Sequence, residues 1–524
     1  MALAWLRGGQ SGSQPRRLVE VVAAHPFVAL VAALLLGGVV RATQLHSQSL
    51  WEDEITSGFL AQIPASQLLR LTAVNDPHPP LYYLLAHAAY ADLHLGMVDA
   101  LRMPSLVAGI ATVAVMYLLG WRLAGRWAGA VAATLTAISP MAVWYSHEGR
   151  MYAVTWFFVA LSYLLLALAR ERPRPVWLVP YTVVTALALW SDISAFLGVV
   201  PQLAVIAATP VAPGPPGRPA LGGFPKPWSR ALATRWWPVL GFLGALVLYA
   251  PWLASLRTQW SLLTAMDFGI PSTWQVWTAL ALAQVGLQGS YATLPDLVPG
   301  ALVALVLCAY AAIAVIGWRT AWPRAMYGVA LALGPIALGL ALALLGSRAV
   351  LVPRVEGVSS LGFGLLAGLL VAGALRSPDW SRRAAAGLAA VVIASGTAVG
   401  LAHEIRAGTN NQPWNVWVRQ LDRDAGPVDA IFIVPTALQV ATSAYLPADS
   451  RVNVWANTSW GQPRQELDAN LLEQGTNGEH LWILYLDTTG IDIKSHDAFL
   501  RSHGFHRIAG NPALRMGVLG YSRT

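Results

Sequence analysis

Charge is scarce in this chain. Asp, Glu, Lys and Arg make up 11% of its 524 residues while 56% are hydrophobic. That is too little polar side chain to cover a soluble globule of this size, so lipid must cover the rest. Cysteine is nearly absent. Cys308 stands alone in an apolar run, which excludes a disulfide within the chain and a thiolate metal centre. The net charge of +8 comes mostly from arginines spread thinly over short loops, without the clustered stripe that tracks phosphates, so nucleic acid is excluded as a partner. No tandem repeat and no nucleotide-binding loop is seen.

Long apolar runs are abundant. Arg7, Arg16 and Arg17 precede a run over Val21–Val40 that lacks the small-residue site of a cleaved signal peptide, and is expected to be a retained first helix. A bilayer core needs about 20 apolar residues in a helix, and about eleven segments meet this or come close. They lie at Val21–Val40, Met103–Trp121, Trp127–Val143, Tyr152–Ala169, Val176–Trp190 and Ile193–Ala208, then Trp236–Leu256, Leu297–Trp318, Ala325–Leu345, Gly357–Leu375 and Ala384–Ala402. With the N-terminus inside, the cytoplasmic loops hold Arg122, Arg126, Arg170, Arg174, Arg230, Arg319, Arg376 and Arg382. The opposite loops hold Glu52, Asp53, Glu54, Asp76, Glu148, Asp192, Asp267 and Glu356. The basic bias therefore predicts N-in, C-out.

Two outer loops are long, 41–102 and 257–296. The first contains Leu81–Leu95, which suits an interfacial helix; the second carries Trp260, Trp274 and Trp277, suited to the headgroup layer. Pro210–Pro227 reads as a flexible cytoplasmic linker. After Ala402 the period changes. Helices are expected at Trp414–Asp424, Ala437–Tyr445, Gln465–Glu473 and Asp497–His503, and strands at Ala430–Val434, Val452–Trp455, Leu481–Leu486 and Met516–Tyr521. The expected fold class is an α-helical polytopic membrane protein, residues 1–402, with a small extracytoplasmic α/β domain, residues 403–524.

The outer segments hold the residues able to do chemistry. Glu52, Asp53 and Glu54 follow Trp51 directly after the first span; such a run is either solvated or a general base for an incoming hydroxyl. Asp76 and His78 sit among Pro77, Pro79 and Pro80, which stiffen the entry to a helix. His147, Glu148, Arg150 and Tyr152 form a short outer turn dense in donors and acceptors. Arg150 is either an anchor paired with Glu148 or a bidentate clamp for a lipid phosphate. Arg102, Arg348 and Arg354 are similar, as phosphate ligands or snorkelling anchors.

Taken in order, the acids after the first helix, His78-Pro79-Pro80-Leu81-Tyr82-Tyr83, Leu101-Arg102-Met103-Pro104-Ser105 and Tyr145-Ser146-His147-Glu148-Gly149-Arg150-Met151-Tyr152 resemble the class-C glycosyltransferases. The likeness is to the bacterial family-39 type, related to protein O-mannosyltransferases and the lipid A aminoarabinose transferase. Its strong part covers residues 20 to about 200.

The resemblance implies an enzyme of the bacterial plasma membrane that takes a sugar from a polyprenyl-phosphate donor on the outer side. The acceptor is a lipid, glycan or protein, a cell-envelope glycan or glycolipid being the expected type. It implies Asp53 as catalytic base with Glu54 beside it, Glu52 being an extra acid, so that which of the three takes the proton stays open. His78, Arg102, Arg150 and Arg354 are implied to meet the donor and its phosphate; Glu52, Asp76, His147, Glu148 and Tyr152 line the substrates. The family does not uniformly call for a metal, and Glu52, Asp53 and Glu54 offer oxygens able to coordinate a divalent cation. A single displacement inverts the anomeric centre.

A transporter or flippase of a lipid-linked saccharide is the rival from another class. It calls for ionisable residues near midplane and broken helices in paired halves; the spans contain almost no ionisable residues, and no halves repeat. An envelope protein using the α/β domain as an adaptor is the third reading.

Overall fold

The computed structural model describes residues 26–171, 174–209, 227–265, 281–283, 285–287, 300–344, 357–407, 412–427, 429–447, 449–450, 454–456, 464–477, 479–486 and 492–523. The 210–226 linker, Trp274, Trp277, Arg348 and Arg354 lie outside them.

Helix α1 (Pro26–Gln44) leads into the segment expected to lie outside, which folds as α2 (Glu52–Gln62), α3 (Ala65–Asn75) and α4 (Leu81–His87), the last continuing through a wider π turn, Ala88–Asp92. The membrane body continues with α5 (Met97–Ala124), α6 (Arg126–Ile138), α7 (Pro140–His147), α8 (Tyr152–Glu171), α9 (Pro175–Ser191), α10 (Ala195–Val199) and α11 (Gln202–Ala208). Beyond the linker come α12 (Pro227–Tyr249), α13 (Leu253–Ala265), α14 (Gly300–Ala321), α15 (Ala325–Leu344), α16 (Val358–Ala374) and α17 (Trp380–Ala407).

Each of the apolar segments read from the sequence carries helix. Among the described residues, six helices are long and apolar enough to cross a membrane singly, α6 and α7 qualify together as a pair bent by 54°, and four shorter apolar helices accompany them.

The bend between α6 and α7 has a chemical cause. Pro140 has no N–H to give Thr136, so the helix opens there, and Ser139 caps the next segment by accepting from the Ala142 N–H at 3.4 Å. The guanidinium of Arg41, fully buried at the end of α1, supplies the missing donors to the carbonyls of Thr136 at 3.1 Å and Ala137 at 2.9 Å. Elsewhere small residues let helices meet backbone to backbone: a Cβ on Gly362 of α16 would lie 2.2 Å from the Ala332 nitrogen of α15.

The C-terminal unit comprises α18 (Trp414–Asp424), β1 (Ala430–Val434), α19 (Gln439–Tyr445), β2 (Val454–Ala456), α20 (Arg464–Asn477), β3 (His480–Leu486), α21 (Ile493–Ser502), β4 (Phe505–Ala509) and β5 (Met516–Arg523). The sheet order is β2-β1-β3-β5-β4. β1 runs parallel to β2 and β3 (Ile431 opposite Val454, Ala430 opposite Leu481), while β5 is antiparallel to β3 and β4 (His480 opposite Ser522, Phe505 opposite Arg523).

β1 and β3 read as continuous apolar runs because both their faces are covered. On one face Phe432, Ile483 and Tyr485 pack with Leu471 and Leu500. On the other, Ile431, Ile433 and Leu484 join Trp414, Val418 and Val440, and this cluster continues into Leu50, Ile55, Met97 and Leu101. The α/β unit is thus seated on α2.

Candidate active site

Three acids open α2. Successive helical residues turn by about 100°, so Glu52, Asp53 and Glu54 face different neighbours. Glu54 is buried and forms a two-pronged pair with Arg102, Oε1 to Nε and Oε2 to Nη2, both at 2.8 Å. Its Oε1 also accepts the Gly149 N–H at 2.6 Å and its Oε2 the Trp51 N–H at 3.2 Å. Residue 149 must be small here, since a Cβ would lie 2.7 Å from that of Leu101. Arg102 gives its remaining donors to the carbonyls of Leu45 at 2.6 Å, Gln48 at 3.0 Å and Ser49 at 3.2 Å. All five N–H groups of a guanidinium are thereby used inside the protein. Arg102, expected to meet the donor phosphate, is in this structure the clamp that holds Glu54 and the chain entering α2.

Glu52 turns to the C-terminal unit, its Oε2 lying 3.3 Å from Arg515 Nη2. Its pKa is lifted above the ordinary carboxylate value, first by burial, with Arg515 opposing and Asp53 adding to the rise. Asp53 faces Arg150, Oδ2 to Nε at 4.0 Å, and its side chain keeps 31% of its surface exposed against 1% for Glu54.

Arg150 is buried and lies at a junction of elements. Its Nη1 donates to the Asp53 carbonyl at 3.3 Å, Ser57 Oγ at 3.1 Å and Tyr83 Oη at 3.3 Å. Its Nε, also buried, has no hydrogen-bond partner among the described residues. Tyr83 in turn donates to Asp76, with oxygens at 3.0 and 3.1 Å. Burial drives the Tyr83 pKa well above its ordinary value, Arg150 opposing and Asp76 reinforcing, so the hydroxyl is a donor at any ordinary pH.

Asp76 Oδ1 accepts the His78 N–H at 2.8 Å, locking the proline-flanked turn, and His78 Nδ1 meets Asp192 Oδ1 at 3.0 Å. Asp192 is buried at the end of α9. Burial alone would raise its pKa, but His78 and the Ser194 hydroxyl outweigh that and hold it below the ordinary range. A continuous polar chain therefore runs from Asp53 through Arg150, Tyr83, Asp76 and His78 to Asp192.

The remaining candidates are nearby in sequence but differently engaged. Glu148 Oε1 accepts from Trp144 Nε1 at 2.5 Å. His147 is largely buried, and its Nε2 has no hydrogen-bond partner among the described residues. Tyr152 is buried edge-on against Tyr145, centroids 5.1 Å apart. Arg354 lies outside the described residues. Asp192, an outer acid, and Tyr83, part of the 78–83 motif, are not among the site residues expected from the sequence, nor is Ser57. Asp192 had one signal, an acid closing an apolar run, but its partner is 114 residues away.

The acids of α2 do not converge on a common point as metal ligands do: Glu54 is saturated and Glu52 faces Arg515. Among the described residues, Asp429, Glu479 and His480 do come together, with ligand atoms within 4.8 Å of one another. The oxygens of Asp429 there already accept from Gly426, Trp482 and the His480 backbone.

Residues 77–213 match the family model of dolichyl-phosphate-mannose-protein mannosyltransferases. No curated protein sequence matches the chain. Among solved structures, ArnT from Cupriavidus metallidurans bound to undecaprenyl phosphate is similar at 14% identity and TM-score 0.53, over 94% of this chain and 97% of that one. The oligosaccharyltransferase of Archaeoglobus fulgidus in complex with zinc and sulfate is similar at 15% identity and TM-score 0.50, over 94% of this chain and 73% of that one. The fold is that of the class-C glycosyltransferases, and the chain is related to them.

Proposed function

We propose, from the premise that this chain is a relative of the class-C glycosyltransferases, that it moves a sugar from a polyprenyl-phosphate donor to an envelope glycan or glycolipid on the extracytoplasmic face, inverting the anomeric centre, with Asp53 as general base. One observation carries the assignment of the base. Glu54 is buried in its pair with Arg102, and Glu52, about as exposed as Asp53, turns to Arg515 of the C-terminal unit, whereas Asp53 presents a partly exposed carboxylate to the buried Arg150 on which the donor phosphate is proposed to sit.

The reaction asks little else of the protein. A phosphate-linked sugar carries its own leaving group, so the enzyme must place the acceptor hydroxyl, take its proton and steady the departing phosphate. Asp53 accepts the proton as the acceptor oxygen bonds to the anomeric carbon. The bond from that carbon to the phosphate oxygen breaks, and the electron pair leaves with the polyprenyl phosphate. Arg150 is the cation for that phosphate: its Nε is buried and without a hydrogen-bond partner among the described residues, and such a donor is costly unless something fills it. His78, fixed by Asp192 and the Asp76 turn, and Arg354 are the further groups proposed to meet the donor. The undecaprenyl phosphate bound to the similar ArnT structure supports a donor of this class.

The test is transfer of labelled sugar by the purified full chain from a panel of polyprenyl-phosphate sugars into envelope extract, with the product anomer read by NMR. Turnover with inversion is expected. Scrambling of lipid-linked sugar between liposome leaflets without transfer would contradict the proposal in favour of a transporter.

A further inference from the structure

The first turn of a helix carries N–H groups with no partner inside the helix, and it frays unless something accepts from them. Helix α2 begins badly placed in this respect. Its N-cap is Trp51, which offers no side-chain acceptor, and Asp53 is its second residue. The Trp51 N–H is taken by Glu54 from within the same turn.

The neighbouring amides are taken by residues some 360 and more positions later in the chain. The Glu52 N–H donates to Gln412 Oε1 at 2.7 Å, and the Leu50 N–H to Tyr445 Oη at 2.6 Å. In return the Asn415 N–H donates to Ser49 Oγ at 3.3 Å. Gln412 is itself oriented by Trp414 Nε1 at 3.2 Å. Below these bonds the contact is close: a Cβ on Gly58 would lie 2.5 Å from Val440 Cγ1. The turn bearing Asp53 is therefore gripped from two sides, by Arg102 and Gly149 of the membrane body through Glu54, and by the α/β unit through Gln412 and Tyr445.

We propose that Gln412 and Tyr445 are positioning residues of the transferase, and that the C-terminal unit is a constitutive wall of the active site which fixes the first turn of α2 and with it Asp53. This rests on the reading of Asp53 as the base. It replaces an adaptor role for the unit with a direct one: neither residue touches the reacting atoms, yet both hold the backbone from which the base projects. Displacement of a reacting group by about 1 Å costs up to a hundredfold in rate, so loosening this turn is expected to act chiefly on the chemical step; Arg150, which is proposed to meet the donor, is bonded to α2 but also to Tyr83 outside it.

Gln412→Ala and Tyr445→Phe are tested in the full-length protein, the second losing only an oxygen and so keeping the fold if the first does not. Two readouts are taken. Amide hydrogen exchange over residues 50–54 is expected to quicken about tenfold, the scale of one lost hydrogen bond. For transfer, kcat is expected to fall about tenfold while KM for the polyprenyl-phosphate sugar stays within about twofold. Unchanged exchange overturns the proposal whatever the activity. Faster exchange with kcat unchanged, or an equal loss arising wholly in KM, overturns the positioning of Asp53. If the wild type transfers from no polyprenyl phosphate, the reading of Asp53 fails instead, and exchange, which needs no turnover, tells the two failures apart.

Discussion

Asp53 and Glu54 are neighbours with opposite fates. The sequence shows three acids in a row and offers no way to rank them, because what ranks them is their partners: Arg102 lies 48 positions from Glu54, and Arg515 lies 463 from Glu52. Residue type and spacing made the cluster legible, and the fold alone distributes it. The same holds for Arg102, which as a sequence feature looks like a phosphate ligand and in the fold is consumed by Glu54 and three carbonyls. Both partners are almost wholly buried, 3% and 1% exposed, so removing one leaves an uncompensated charge at a cost of about 3–5 kcal/mol. Arg102→Met is accordingly expected to lower thermal stability in detergent sharply, whereas a substitution at a mere phosphate ligand would leave melting unchanged and weaken donor binding.

Elements were more legible than contacts, and their failures have local causes. Apolar runs marked the helices, but the breaks at Ser139 and between α10 and α11 escaped, because a proline inside an apolar run reads as span until the carbonyls it frees find other donors, as Thr136 and Ala137 do in Arg41. Strand β4 was missed because only Phe505 in it is buried, which leaves no alternation to read; β1 and β3, covered on both faces, stood out as apolar runs.

Asp429 staples those two strands, accepting from Gly426 at 2.8 Å, Trp482 Nε1 at 3.1 Å and the His480 N–H at 3.1 Å. Burial by itself would raise its pKa, yet these donors, with His480, hold it below the ordinary carboxylate value. A depressed folded-state pKa means the folded state favours the ionised form. The stability it adds is complete above the unfolded value of about 4 and is lost as pH falls through the folded one. Melting of the α/β unit is expected to decline over that acid range, and Asp429→Asn to flatten the decline; an unaltered acid limb would count against the staple.

At the scale of the whole molecule, scarcity of charge announced a membrane body and the change of period after Ala402 announced an α/β unit, but nothing in the sequence said that the second sits on the helix bearing Glu52, Asp53 and Glu54. That arrangement builds the proposed site from three regions: α2 and the proline-stiffened turn before α4, the 147–152 turn holding Arg150, and the C-terminal unit closing over Glu52.

The decisive measurement compares sugar transfer by Asp53→Asn and Glu52→Gln in the full-length protein with the same polyprenyl-phosphate donor. Loss of a general base costs about 10²–10⁴ in rate, so Asp53→Asn is predicted to lose at least a hundredfold in kcat while Glu52→Gln stays within about tenfold of the wild type. Full activity in Asp53→Asn, with collapse in Glu52→Gln, would contradict the assignment and move the base to the neighbour that faces Arg515.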